Sequence, residues 1–257
     1  MSPPAGVEVV VGEDLEAVSR AAADAFARAA NAAVARRGRF TVALPGGSTP
    51  RRLLQLLATT HRDAVPWAFC HVFFGDERCV PPWDPASNYR LADEELLTRV
   101  PIPPDHVHRI RGELDPEPAA AHYDAELRAA FAGGRDAPPT EFETFDLAVL
   151  GVGADGHTAS LFPGSPALAE RARWAVATEA PPGVEPRDRV TVTLPVLDGA
   201  REVHFLAAGA EKHAVVSAIL EADAAAARRL PYPAAWVRGS EHTIWFVDRA
   251  ARGEEEA

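Results

Sequence analysis

The feature that most constrains this chain is a repeated order of elements, in which a short apolar run ends at glycine and a helical pattern follows. Four apolar runs end in polar or glycine-rich segments, at residues 46–49, 75–78, 151–157 and 209–212. Apolar strands that alternate with helices are typical of a mostly parallel sheet covered on both faces. Because ligands of such sheets bind beyond the carboxyl ends of the strands, the pattern predicts a binding site where these segments meet.

The spacing of apolar residues gives the predicted elements. A first helix is expected between Asp14 as N-cap and Gly38 as the C-terminal glycine. Further helices are expected over 50–58, 93–98, 119–131 and 212–222, and strands over 40–44, 71–74, 147–150, 190–194, 203–208 and 244–247. We expect a single α/β domain over residues 1–251 and an acidic, solvated tail over 252–257.

Composition excludes several classes of protein. The 257 residues carry a net charge of −11, which argues against nucleic acid and anionic membranes as partners, since both require a basic surface. No apolar stretch is long enough to span a membrane, and the run Val9-Val10-Val11 lacks the features of a signal peptide. Two cysteines, Cys70 and Cys79, have neither disulfide-scaffold nor metal spacing. These features predict a cytoplasmic protein.

The segment Gly46-Gly47-Ser48-Thr49-Pro50 follows the strand predicted over 40–44. Glycines let backbone N–H groups approach a ligand closely, and a helix N-terminus favours an anion. The segment is therefore a candidate phosphate cradle. The alternative is a tight strand-to-helix turn capped by Ser48 or Thr49.

The segment from Gly151 to Pro163 begins with a G-x-G-x-x-G pattern. A dinucleotide fingerprint also needs a full helix after the third glycine and an acidic residue about 20 positions on. Pro163 interrupts such a helix, so we reject that interpretation. What remains is Asp155 beside His157, the side chain best suited to exchange protons near neutral pH. The alternative is a capping aspartate with a structural histidine.

Further candidates follow two other strands. Arg78, in the charged run after Gly75, is suited to bind an oxyanion or a phosphate, with Asp76 and Asn88 as further lining residues; the alternative is a surface salt-bridge cluster. Arg189 and Lys212 add positive charge for an anionic ligand. Lys212 is distinctive because the other 25 basic residues are arginines. Neither a serine-nucleophile elbow nor a zinc motif is present.

Together these segments resemble the 6-phosphogluconolactonase family along nearly the whole chain. The matching stretches, as they stand here, are GGSTP from Gly46, FGDERCVP from Phe74, SNY from Ser87, the run from Gly151 to Pro163, RVTVTLP from Arg189, GAEK from Gly209 and WFVD from Trp245. The resemblance implies a Rossmann-like α/β fold shared with glucosamine-6-phosphate deaminases, without a metal or nucleotide cofactor. We expect a monomer or a weak homodimer.

The resemblance implies a role for each matching position. His157 is expected to be the general base that activates water against the lactone carbonyl, Asp155 to orient it, and Arg78 to stabilise charge on the substrate. Gly46, Gly47, Ser48 and Thr49, with Arg189 and Lys212, are expected to hold the 6-phosphate. Two alternatives stay open: a deaminase or isomerase, against which Phe162 counts because it stands where deaminases carry a glutamate, and a non-catalytic sugar-phosphate sensor.

Overall fold

A computed structural model describes residues 6–254 of the chain. Within them, the strands are Val7–Gly12 (β1), Phe40–Leu44 (β2), Cys70–Phe74 (β3), Asp76–Arg78 (β4), Leu147–Gly151 (β5), Ala175–Glu179 (β6), Asp188–Val192 (β7), Glu202–Ala207 (β8) and His242–Asp248 (β9). The α-helices are Leu15–Arg37 (α1), Arg51–Ala58 (α2), Asn88–Glu95 (α3), Pro116–Ala132 (α4), Leu194–Asp198 (α5), His213–Glu221 (α6), Ala224–Ala227 (α7) and Arg249–Arg252 (α8).

Six strands form one sheet in the order β1-β9-β8-β5-β2-β3, and every pairing in it is parallel. All five residues of β2 are buried, as are the first four of β5. Strands buried on both faces have no solvent-facing side, which is why these segments are apolar except for Thr41, whose hydroxyl donates to Asp146 at 3.0 Å. The predicted fold class, a single α/β domain built on a mostly parallel sheet, is confirmed.

The strand order reverses beside β2. The chain passes from β2 outward to β3 and then returns to β5 on the other side of β2. At such a switch point the connections that follow neighbouring strands diverge and leave a crevice at the carboxyl edge. The segments after β2, β3 and β5 therefore meet there, as the sequence predicts.

A second, three-stranded antiparallel sheet in the order β4-β7-β6 was not predicted. Only Gly75 separates β3 of the main sheet from β4 of the second sheet. The amide of Val192, at the end of β7, donates to the carbonyl oxygen of Gly75 at 2.9 Å. The β4–β7 register places Arg78 directly opposite Arg189. This small sheet thus brings two arginines that are distant in sequence to the edge of the crevice.

The predicted helix ends and strand ends were partly right. Asp14 caps α1 by accepting from the amide of Ala17 at 2.8 Å, and Gly38 ends it in the left-handed conformation, as expected. The helix predicted over 93–98 is wrong, since α3 spans Asn88–Glu95. The strand predicted over 190–194 is also displaced, because β7 ends at Val192 and Leu194 begins α5 with Pro195 in its first turn.

The two ends of the described region depart from the predicted boundaries. The valine run of residues 9–11 belongs to β1, at an edge of the main sheet. The predicted tail over 252–257 begins too early, because Arg252 is the last residue of α8 and Gly253 caps that helix. Residues 255–257 lie outside the described part. No helix within residues 6–254 is long and apolar enough to cross a membrane.

Candidate active site

A cavity of about 310 Å³ lies at the carboxyl ends of β2, β3 and β5. It collects nine of the eleven residues that the sequence predicted for the site. Those nine are Gly46, Gly47, Ser48, Thr49, Asp76, Arg78, His157, Arg189 and Lys212. The other two, Asp155 and Asn88, do not line the cavity and instead contact residues that do.

The turn after β2 forms one wall of the cavity. Gly46 has no alternative here, because a β-carbon on it would lie 1.8 Å from the side-chain oxygen of Asn88. Gly47 adopts a φ of +92°, a conformation that side chains other than glycine rarely take. Pro50 is the N-cap of α2 and no side chain caps that helix. The alternative interpretation, a turn capped by Ser48 or Thr49, is therefore wrong, and both residues line the cavity.

Three cationic side chains line the cavity, and no carboxylate of residues 6–254 forms an ion pair with any of them. The ammonium group of Lys212 donates to the hydroxyl of Thr49 at 3.2 Å, which joins the start of α6 to the turn before α2. Arg78 and Arg189 face each other across β4 and β7. The predicted alternative for Arg78, a surface salt-bridge cluster, does not occur.

Burial and mutual repulsion act on these cations. Arg189 is only 5% exposed, and its burial, followed by the charge of Arg78, lowers the pKa of its guanidinium. Burial also lowers the pKa of Lys212. The charge of an anion bound between these groups would offset both effects, because opposite charges attract most strongly where water is excluded. The cavity is therefore suited to a phosphate or a similar anion.

His157 and Asp155 form a hydrogen-bonded pair beside this basic cavity. The Nδ1 atom of His157 lies 2.6 Å from the Oδ1 atom of Asp155, which also accepts from the backbone amide of His157 at 3.1 Å. Burial alone would raise the pKa of Asp155, but hydrogen bonds from His157 and the charge of its ring lower it overall. An ionised carboxylate only accepts, so Nδ1 carries a proton, and in the unprotonated form of the ring the lone pair is on Nε2.

The backbone around His157 is shaped to hold it there. A β-carbon on Gly153 would lie 2.2 Å from the Nδ1 atom of His157, so only glycine lets the imidazole fold back over this turn. The amide of Gly153 donates to the carbonyl oxygen of His157 at 2.9 Å, which closes the turn. The hydroxyl of Thr158 donates to the carbonyl oxygen of Gly151 at 2.9 Å and ties the segment to the end of β5.

Asp76 and Asn88 form a buried network behind the cations. Asp76 accepts from the hydroxyl of Ser160 at 2.5 Å and from the amide group of Asn88 at 3.0 Å. Asp76 lines the cavity, whereas Asn88 is 1% exposed and lies behind its wall. Ser160, which the sequence did not single out, thus fixes the carboxylate of Asp76 from the same segment that carries His157.

Two residues of the cavity wall have no polar signature in the sequence. Val184 comes from the loop between β6 and β7, whose position depends on the unpredicted sheet. Phe162 lies against His157, with ring centroids 4.7 Å apart.

The cysteines are free, as expected, and burial raises the pKa of Cys79 to about 11, so this thiol stays protonated at neutral pH. Within residues 6–254, no three potential ligands are placed to hold a metal ion.

Comparison of the chain with known proteins assigns it to a family. The family model described as glucosamine-6-phosphate isomerases/6-phosphogluconolactonase matches residues 13–245. The chain belongs to this family. It is 37% identical to a 6-phosphogluconolactonase of Streptomyces coelicolor over 253 residues, which covers 96% of this chain and 94% of that protein. The family resemblance inferred from the sequence is confirmed.

Solved structures agree with this assignment. A 6-phosphogluconolactonase from Thermotoga maritima is 32% identical, with a TM-score of 0.78 over 94% of this chain and 99% of that one. A monomeric glucosamine-6-phosphate deaminase has the same TM-score over 96% and 100% of the two chains at 18% identity, a likeness that concerns the fold alone. The match spans only 65% of the length of a chloroplastic 6-phosphogluconolactonase from Arabidopsis thaliana.

Proposed function

We propose that this protein hydrolyses 6-phospho-D-glucono-1,5-lactone to 6-phospho-D-gluconate, a step of the oxidative pentose phosphate pathway. The observation that carries the proposal is the pairing of an oriented imidazole with a basic cavity. His157 lines the same cavity as Arg78, Arg189 and Lys212. The imidazole of His157 supplies a base for ester hydrolysis, and the three cations supply a site for a phosphorylated substrate. The names of the family's curated members support the same reaction.

The 6-phosphate binds where backbone amides and cations converge. Gly46, Gly47, Ser48 and Thr49 surround the N-terminus of α2, which favours an anion. Lys212 reaches the same turn through Thr49, and Arg189 approaches from β7. The charge of a phosphate held here offsets the burial of both cations and the repulsion between Arg189 and Arg78, so binding and local electrostatics favour the same arrangement.

The chemistry follows from the free Nε2 atom of His157. This atom takes a proton from water while the water oxygen attacks the lactone carbonyl carbon, and Arg78 stabilises the charge that develops on the carbonyl oxygen. The tetrahedral intermediate collapses by breaking the bond between C1 and the ring oxygen. The imidazolium returns its proton to that oxygen, and the new carboxylic acid ionises. Asp155 keeps the ring in the required tautomer throughout.

The alternatives fit the site less well. Deamination of an amino-sugar phosphate needs an acid–base group where this chain has Phe162, whose ring contacts His157 and cannot carry a proton. A sugar-phosphate sensor would need the cations but not the Asp155–His157 pair. Here the Asp155–His157 pair and the three cations meet at one cavity. This arrangement favours lactone hydrolysis over a sensor, which would not need the pair.

The direct test is an assay of the purified protein with freshly generated lactone, because spontaneous hydrolysis competes. We expect consumption well above the spontaneous rate without added metal or nucleotide, and no ammonia release from glucosamine 6-phosphate. Consumption at the spontaneous rate, with tight binding of 6-phosphogluconate, would instead favour the sensor. A cytoplasmic location, and a monomer or weak homodimer, remain predictions that fractionation and sedimentation can check.

A further inference from the structure

Phe162 occupies an unusual place between two cavities. Its side chain is 5% exposed, and its ring lies against the imidazole of His157 at 4.7 Å between centroids, with the planes inclined by 43°. One side of the residue lines the basic cavity. Phe162 also lines a second cavity of about 660 Å³, and no other described residue belongs to both walls.

The second cavity differs in charge from the first. Its wall includes three carboxylates, Glu117, Glu179 and Asp188, together with the hydroxyls of Ser165 and Thr178. None of the three cations of the basic cavity lines it. Glu117 pairs with Arg173 and Glu179 with Arg187. Phe162 therefore borders both the basic cavity and a larger cavity that lacks the three cations of the first.

The orientation of His157 requires more than its carboxylate partner. A single hydrogen bond to Asp155 fixes the Nδ1 atom but leaves the imidazole able to tilt about that contact. The ring of Phe162 packs against the imidazole, and the backbone of Gly153 lies against its Nδ1 side. Phe162 also borders the second cavity, so a smaller side chain at this position leaves room beside the imidazole. Loss of the ring would give the imidazole room to turn away from the basic cavity.

We propose that Phe162 is a positioning residue for His157, holding the imidazole so that its Nε2 atom faces the bound lactone. This inference rests on the proposed function. Misplacement of a catalytic group by about 1 Å costs on the order of 100-fold in rate. A partial loss of packing should therefore lower kcat by about 10-fold or more. Phosphate binding, which depends on Lys212 and Arg189, should be little affected.

The test compares Phe162→Leu and Phe162→Tyr with a matched control, Phe131→Leu, which removes a ring from an aromatic cluster that does not line the basic cavity. We expect Phe162→Leu to lower kcat by about 10-fold or more with KM within about 3-fold. Phe162→Tyr, which keeps the ring, should retain kcat within about 3-fold. The control should lower the melting temperature without changing either kinetic constant.

An unchanged kcat in Phe162→Leu, or a rise in KM alone, would overturn the positioning role. Nuclear magnetic resonance of the His157 ring gives a readout that does not depend on turnover. Wild type should show one sharp set of imidazole signals, and Phe162→Leu should show signals broadened by exchange; identical spectra would also overturn the inference. A wild-type protein without lactonase activity would instead overturn the proposed function, so the two failures are distinguishable.

Discussion

At the scale of single residues, individual hydrogen bonds hold the side chains of the candidate site. Asp155 fixes which nitrogen of His157 carries the proton, and Thr49 accepts from Lys212. The sequence predicted these residues because glycine-rich turns after apolar strands mark both segments. It did not predict Ser160 or Val184, because a buried serine and an exposed valine have the same appearance in a sequence whether or not they adjoin a site.

Lys212 gives a prediction at this scale. Lys212→Met removes the charge but keeps a chain of similar length, so KM for the 6-phosphorylated lactone should rise by about 10- to 100-fold, the range for losing a charged hydrogen bond. KM for unphosphorylated glucono-1,5-lactone should stay within about 2-fold. Arg51→Met is the control, because Arg51 lies at the start of α2 but pairs with Glu95 outside the cavity. Equal changes with both lactones would contradict phosphate binding by Lys212.

At the scale of elements, long-range contacts explain where sequence prediction fails. The helix α3 begins earlier than the apolar spacing indicates, because Ser87 caps it by accepting from the amide of Arg90 at 3.1 Å. Glu77, on β4, also fixes this start, since it accepts from the amides of Asn88 and Tyr89 at 2.7 and 2.8 Å and from the hydroxyl of Ser87. No local pattern contains a contact across ten residues. The buried strands β2 and β5, by contrast, were predictable because their apolar character follows from burial on both faces.

The edge strand β3 of the main sheet is also covered through contacts between residues that are distant in sequence. The amide of His108 donates to the carbonyl oxygen of Val72 at 2.8 Å, so the segment after α3 covers part of the edge strand β3. The ring of His71 stacks on that of His106 at 3.9 Å, and its Nδ1 atom lies 3.2 Å from Nε2 of His108. His108 in turn pairs with Glu126 on α4. This cluster ties three segments together around the ring of His71.

The cluster predicts a pH dependence of stability. Burial, the neighbouring His106 and His108, and Arg39 lower the pKa of His71 to about 4, although Asp105 opposes this. The unfolded chain protonates this ring near 6.5, so between about pH 6.5 and 4 the unfolded state binds more protons and stability falls as pH falls. This residue should account for about 1 kcal/mol between pH 7 and 5 after allowance for solvent screening.

Urea unfolding at pH 7 and pH 5 measures this effect. His71→Gln should lose less stability between the two pH values than wild type does. His213→Gln, on α6 and outside the cluster, should lose as much as wild type. The same loss in wild type and His71→Gln would show that His71 does not contribute.

At the scale of the whole molecule, the charge distribution reconciles an acidic protein with an anionic substrate. The net charge of −11 argues against polyanionic partners, yet three cations line one cavity at the switch point of the sheet, and no carboxylate within residues 6–254 pairs with them. The antiparallel sheet completes this arrangement by setting Arg78 opposite Arg189. The fold class could be predicted from local patterns and the family from the resemblance, and nine of the eleven predicted site residues line the cavity. The second sheet could not be predicted, because the β4–β7 pairing joins segments more than a hundred residues apart.

The central claim is that His157 is the base for lactone hydrolysis, and turnover of His157→Ala measures it most directly. Freshly generated 6-phosphogluconolactone should be followed beside wild type and His242→Ala, a variant at the start of β9 outside the cavity. General-base catalysis contributes about 100- to 10,000-fold, so kcat of His157→Ala should fall by at least about 100-fold while 6-phosphogluconate still binds. His242→Ala should match wild type. Wild-type turnover by His157→Ala would contradict the mechanism.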